Sequence, residues 1–227
     1  MIHTLHAKLK GDGYAVAALI TLFLAIVVFI NPLREFPLND DWTHTLSIKT
    51  FLDSGTLYYP AFLSAYLYLP IAYGIALTSI FGFSFSILRV TNLAFALATL
   101  VFFYFFLKKS TGSRFPSLIG ALLLLFNPLF LNQSFTFMGD IPSLFFFLLS
   151  VYFFWDGFRS GSTQKYALGV LCSLLAFSIR QTMIVPLLVA TPWFLLSSHF
   201  NKKKVAIFFS CGILAAAFLA LVPRLAN

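Results

Sequence analysis

Long apolar runs separated by short polar breaks make up most of the chain. They cover residues 14–30, 88–107, 115–132, 141–155, 166–178, 182–196 and 205–222. The runs are continuous, not alternating, which is the pattern of membrane helices and not of barrel strands. Runs 141–155 and 166–178 are short for a span unless their flanks extend them. The stretch "NDDWTHTLSIKTFLDSG" follows the first run. Asn39, Asp40 and Asp41 are each good helix N-caps and Gly55 is a good stop, which predicts a short helix lying on the membrane surface.

Residues 60–83 are the ambiguous segment. They are long enough to cross, but Pro70 lies near the middle and tyrosines and small polar residues interrupt them. Charge decides the reading. If 60–83 does not cross, Lys108, Lys109 and Arg114, then Arg159 and Lys165, then Lys202, Lys203 and Lys204 all fall on the same side as Lys8 and Lys10. If it crosses, the later clusters fall opposite those two lysines. Short cytoplasmic loops are enriched in Lys and Arg, so the first option is preferred. Residues 60–83 then form a re-entrant or interfacial hairpin roofing a cavity, because irregular backbone at that depth must be covered by protein or water. The expected fold class is an all-α polytopic membrane protein of about seven transmembrane helices. It has a first external loop over 31–87 and a second over 133–140, in a single module over 1–227.

Composition agrees with this. The chain has 227 residues, of which 60% are hydrophobic and 10% charged, and 30 are phenylalanine. A soluble domain carries roughly 25% charged residues. The formal net charge of +8 is dispersed in small clusters between apolar runs, so nucleic acid is not an expected partner. Cys172 and Cys211 lie inside apolar runs without metal-ligand spacing and read as packing residues.

The polar residues on the external side need an explanation, since a charge beside a bilayer is costly to desolvate. Asp40 and Asp41 are either caps and solvated interface groups, or carboxylates for acid–base or metal chemistry at a cavity mouth. Asp140 either caps the helix that begins beside Pro142 or joins the first pair in such chemistry. Arg180, in "LLAFSIRQTMIVPLL", either snorkels to the interface or binds an anion, for which the flat guanidinium fork suits phosphate. Arg89 carries the same alternatives closer to the surface. His44 lies one helical turn after Asp40; an interfacial polar pair is preferred over a metal pair.

The order of these motifs resembles the GT-C membrane glycosyltransferases, including the protein O-mannosyltransferases and the aminoarabinose transferases of lipid A. The matching stretches are "NDDWTH" and "FTFMGDIPSLFFFLLSVYF". A closer local likeness is to the dolichyl-phosphate-glucose-dependent glucosyltransferases. It rests on Asp40, Asp41 and His44, on Arg89 and Asn92 in "LRVTN", and on Arg180, Gln181 and Thr182. Two positions depart from these families: Asp41 where Glu is usual, and Asp140 where the glucosyltransferase relatives carry Glu. The relatives also continue beyond the seventh span, which makes this chain the catalytic module or a fragment.

The resemblance implies transfer of a sugar from a polyprenyl-phosphate donor to a hydroxyl of a lipid, glycan or protein. The implied catalytic residues are Asp40, Asp41 and Asp140, with Asp40 as general base. Arg180, Gln181 and Arg89 are implied to bind the donor phosphate, His44 is auxiliary, and a divalent metal would be held by Asp40, Asp41 and Asp140. The expected location is the plasma (inner) membrane with the site facing outward, or the endoplasmic reticulum membrane in a eukaryote. A transporter or flippase is the competing class, but it predicts symmetry between the halves, and none stands out. A non-catalytic truncated homologue is the other.

Overall fold

The computed structural model describes residues 2–58 and 68–196. Every regular element there is helical: α1 (Ile2–Ile30), α2 (Asp41–Ser54), α3 (Tyr68–Phe81), α4 (Phe85–Thr111), α5 (Arg114–Leu125), α6 (Pro128–Ser134), α7 (Asp140–Ser160), α8 (Thr163–Ile179), a 3-10 turn (Gln181–Ile184) and α9 (Val185–Leu196). The run over 205–222, the lysines at 202–204 and the first part of the 60–83 segment lie outside the described residues.

Among the described residues three helices are long and apolar enough to cross a membrane: Gly11–Ile30, Phe85–Thr111 and Asp140–Ser160. A fourth is obtained if α5 and α6 count as one broken span, bent by 63°. The apolar pattern over 115–132 predicts one continuous span, and the break corrects it. Asn127 accepts hydrogen bonds from the backbone N–H groups of Leu129 (2.9 Å) and Phe130 (3.2 Å). Pro128 follows at the first helical position, where its missing N–H costs nothing. The pair therefore starts a new helix inside an apolar run. α8 has 17 residues, about 25 Å at the usual helical rise.

Ion pairs fix how the helices run. At one end, the basic end, Asp12, where the apolar segment Gly11–Ile30 of α1 begins, pairs with Lys108 at the end of α4 and with Arg114 at the start of α5 (3.0 Å). Tyr104 donates to the same carboxylate at 3.0 Å. Asp156 near the end of α7 pairs with Lys109 of α4 (2.8 Å) and Lys165 of α8 (2.7 Å). At the opposite, acidic end, Glu35 after α1 accepts from Ser84 Oγ (2.7 Å), Phe85 N (3.0 Å) and Ser86 N (3.3 Å) at the start of α4. α1 and α4 are therefore antiparallel, and the end of α1 and the start of α4 meet at the same end. α7 and α8 run between the same two ends and pack closely. A Cβ on Gly169 would sit 2.7 Å from the Phe154 ring, so only glycine lets α8 approach α7 there.

The chain from α1 to α4 follows from local chemistry. α1 stops where Asn31 takes a left-handed conformation (φ 51°), which asparagine tolerates better than most residues, and Pro32 cannot continue the helix. α2 stops at Gly55, whose φ of 71° is the left-handed cap that favours glycine. This is the helix expected between Asp40 and Gly55. α3 returns toward the acidic end: Phe81 is the last residue of α3 and Phe85 the first of α4. Ile48 of α2, Ile71 of α3, Leu88 of α4 and Phe137 form one buried cluster. That cluster seats the surface helix on the bundle beneath the polar stretch.

Candidate active site

The first turn of α4 organises the acidic end. Arg89 is completely enclosed and uses all five of its N–H donors on its own chain. Nε and Nη2 donate to Asp41 Oδ2 at 3.1 and 2.9 Å. Nη1 donates to the carbonyls of Pro32 (3.1 Å) and Arg34 (2.7 Å), and Nη2 also to that of Phe36. The rings of Phe85 and Phe36 flank the guanidinium at 5.5 and 5.9 Å from their centroids. One turn on, Asn92 is also fully buried. Its amide donates to the carbonyls of Thr136 (2.6 Å) and Met138 (2.7 Å). Positions i and i+3 share a helix face. Arg89 thus holds the loop after α1 and Asn92 holds the loop before α7, and both loops hang from a single turn.

Asp41 and Asp40 are separated by this arrangement. Asp41 is fully buried in its pair with Arg89. Its Oδ1 accepts from Leu38 N at 2.8 Å, and the backbone N–H of Phe137 also donates to the carboxylate. Burial raises its pKa, opposed by Arg89 and by the two backbone donors. Asp40 occupies the N-cap position of α2 but makes no side-chain cap bond, and it is exposed. Beside it, His44 is 7% exposed with Nδ1 lacking a hydrogen-bond partner. Burial pushes its pKa down to about 4, with Asp40 opposing, so the imidazole is neutral at pH 7. Asn39 donates to Met138 Sδ at 3.5 Å. The segments carrying Asp40 and Asp140 are therefore in contact.

Asp140 begins α7 and forms an ion pair with Arg180. The side chains are 27% and 45% exposed. Arg180 ends α8 in extended backbone, φ −145°. The half-buried Gln181 opens the 3-10 turn that follows. The structure thus brings Asp40, Asp41, His44, Arg89, Asp140, Arg180 and Gln181 to one end, but in two settings. Arg89, grouped with Arg180 in the sequence reading, has no donor left for a ligand.

Sequence reasoning missed Glu35, the chain's only glutamate, which caps α4. Its hydrogen bonds to Ser86, Ser84 and the backbone hold its pKa below the usual value. Its partners lie about fifty residues away, so no local spacing signals the contact. Asn92 was visible only as part of an Arg-x-x-Asn motif.

Among the described residues no three His, Cys, Asp or Glu side chains gather as a metal site. Asp41 is saturated by Arg89 and backbone donors, and Asp140 is paired with Arg180. These acids do not compose a donor set for a divalent ion.

Apolar helices of spanning length, with the polar loops stitched together at one end, define an integral membrane protein. The model of the dolichyl-phosphate-mannose-protein mannosyltransferase family matches residues 62–226, and the chain belongs to that family. It is therefore a membrane glycosyltransferase of the GT-C superfamily. The match takes in Arg89, Asp140, Arg180 and Gln181 and begins after Asp40, Asp41 and His44. No curated protein and no solved structure matches the chain.

Proposed function

We propose that the chain transfers a sugar from a polyprenyl-phosphate donor to a hydroxyl acceptor on the outer face of its membrane. The observation that carries this reading is the sorting of charges at the acidic end. Asp41 and Arg89 are locked inside, while Asp40 and Arg180 remain exposed. A transfer from such a donor needs one accessible base and one accessible cation. Basic clusters at the opposite end support an outward-facing site.

The acceptor oxygen attacks the anomeric carbon and the bond from that carbon to the phosphate oxygen breaks. The acceptor proton passes to Asp40, and the bonding pair leaves with the lipid phosphate. An alcohol is a poor nucleophile until its proton is taken in the transition state, which is the work of a general base. Arg180 neutralises the leaving phosphate, with Gln181 beside it, and Asp140 holds the guanidinium in place until the phosphate competes for it. Arg89 and Asn92 position the two loops, and the neutral His44 supports Asp40 from below.

Membranes containing the full chain are incubated with a panel of radiolabelled polyprenyl-phosphate sugars, and transfer is followed. One donor is expected to be consumed. Asp40→Asn should lower kcat by about two to four orders of magnitude, the share of general-base catalysis, with donor retention unchanged. Arg180→Gln should weaken donor retention as well as slow transfer. Wild-type turnover by Asp40→Asn would remove Asp40 from the mechanism. Retention of every donor without transfer by the wild type would favour a non-catalytic homologue.

A further inference from the structure

The basic end holds a cavity of about 390 Å³, lined by Phe102, Phe105, Phe106, Lys108 and Lys109 of α4 and Tyr152 of α7. Its floor is an aromatic cluster. The Tyr152 ring meets those of Phe102 and Phe106 edge-on at 5.5 and 5.7 Å. Phe105 is exposed on the outside of α4. The lysines sit at the mouth. Lys109 Nζ lies 4.7 Å from the centre of the Tyr152 ring and is 43% exposed.

Charge at this end is not balanced. Lys108 and Arg114 share Asp12, and Lys109 and Lys165 share Asp156. Arg159 stacks 4.9 Å from the centre of the Trp155 ring and has no acid beside it among the described residues. Asp12 and Asp156 thus each answer two cations, which leaves net positive charge around Lys108 and Lys109, the two lysines that line the cavity.

We propose that this cavity binds an anionic phospholipid of the inner leaflet. One acyl chain would lie along Phe102, Phe105 and Phe106, and the phosphate would sit on Lys109, with Lys108 behind it. Basic pockets between membrane helices on the cytoplasmic side suit anionic headgroups. A zwitterionic lipid offers the same chains but brings its own cation to the lysines. The site lies at the opposite end from the transfer chemistry and does not depend on it.

The full chain is purified in detergent with equal amounts of phosphatidylglycerol and phosphatidylcholine, and the lipid it retains is counted by native mass spectrometry. The wild type should retain phosphatidylglycerol about fivefold over phosphatidylcholine, the order set by one cation beside an anionic headgroup. Lys109→Gln should bring that ratio close to one. Phe105→Trp keeps every charge and fills the slot, so it should lower retention even if Lys109→Gln folds poorly. Arg159→Gln, outside the cavity, should keep the wild-type ratio. Three results would overturn the proposal: no preference in the wild type, an equal loss with Arg159→Gln, or displacement of the lipid by millimolar inorganic phosphate.

Discussion

Asp41–Arg89 and Asp140–Arg180 are the same chemical pair in two surroundings at one end of the bundle. The first is sealed, with both side chains 0% exposed, and the second is open, at 27% and 45%. A sealed pair gains little net stability over apolar replacements, yet breaking one side of it is severe. An open pair is screened and contributes roughly 0–1 kcal/mol. The difference separates work. The sealed pair holds backbone, and the open pair stays within reach of solvent.

The sharpest way to break this contrast is Arg89→Met. It leaves Asp41 buried and charged beside three carbonyl groups without donors. The expected loss is about 3–5 kcal/mol of stability, read as a lower unfolding temperature and early proteolysis of the loop after α1. If Arg89→Met is as stable as wild type, the sealed pair is not the anchor described.

The next effect comes from His44. Its folded pKa of about 4 lies below the ordinary 6.5, so the unfolded chain binds the extra proton first. Stability is full above pH 6.5 and falls as the pH drops toward about 4. The loss is about 3 kcal/mol at roughly 1.4 kcal/mol per pH unit. Thermal unfolding from pH 7 to pH 4 should show this slope, and His44→Gln should flatten it. Glu35, whose pKa is lowered, adds a second loss at lower pH as its cap on α4 is protonated.

Asn92→Ala should cost about 1–3 kcal/mol, since it strands the buried carbonyl of Thr136 and the partly buried one of Met138. Hydrogen exchange should rise in residues 135–139 and not in residues 32–36, because Arg89 still holds the latter. Arg180→Gln has the smallest expected effect on stability, under about 1 kcal/mol. A loss as large as that of Arg89→Met would mean that the open pair is structural too.

Helix ends were readable where one residue carries the signal. Gly55 ends α2 in the left-handed conformation the sequence predicts, and Asp140 starts α7. The break at Asn127-Pro128 was also written in the chain, as a turn-forming dipeptide, but it lay inside a run whose mean hydropathy outweighed it. Arg89 and Arg180 illustrate the limit. Both are arginines among apolar residues, and the family resemblance assigns both to the donor phosphate. What sets them apart is a set of carbonyls at residues 32, 34 and 36, brought to Arg89 from more than fifty residues away. A contact of that range leaves no periodicity to detect. The same holds for Glu35. The neighbours Asp40 and Asp41 were legible as a pair, but which of them faces inward depends on where α4 stands.

Because one helical turn carries both loops, they share a single frame of reference. The distance between Asp40 and Asp140 is then insensitive to the slack of either loop, as two jaws of a vice keep their alignment when bolted to one bed. Breaking the bonds of Arg89 or of Asn92 would free the loop that each one holds. Arg180, at the end of α8, hangs from neither bolt and stays exposed.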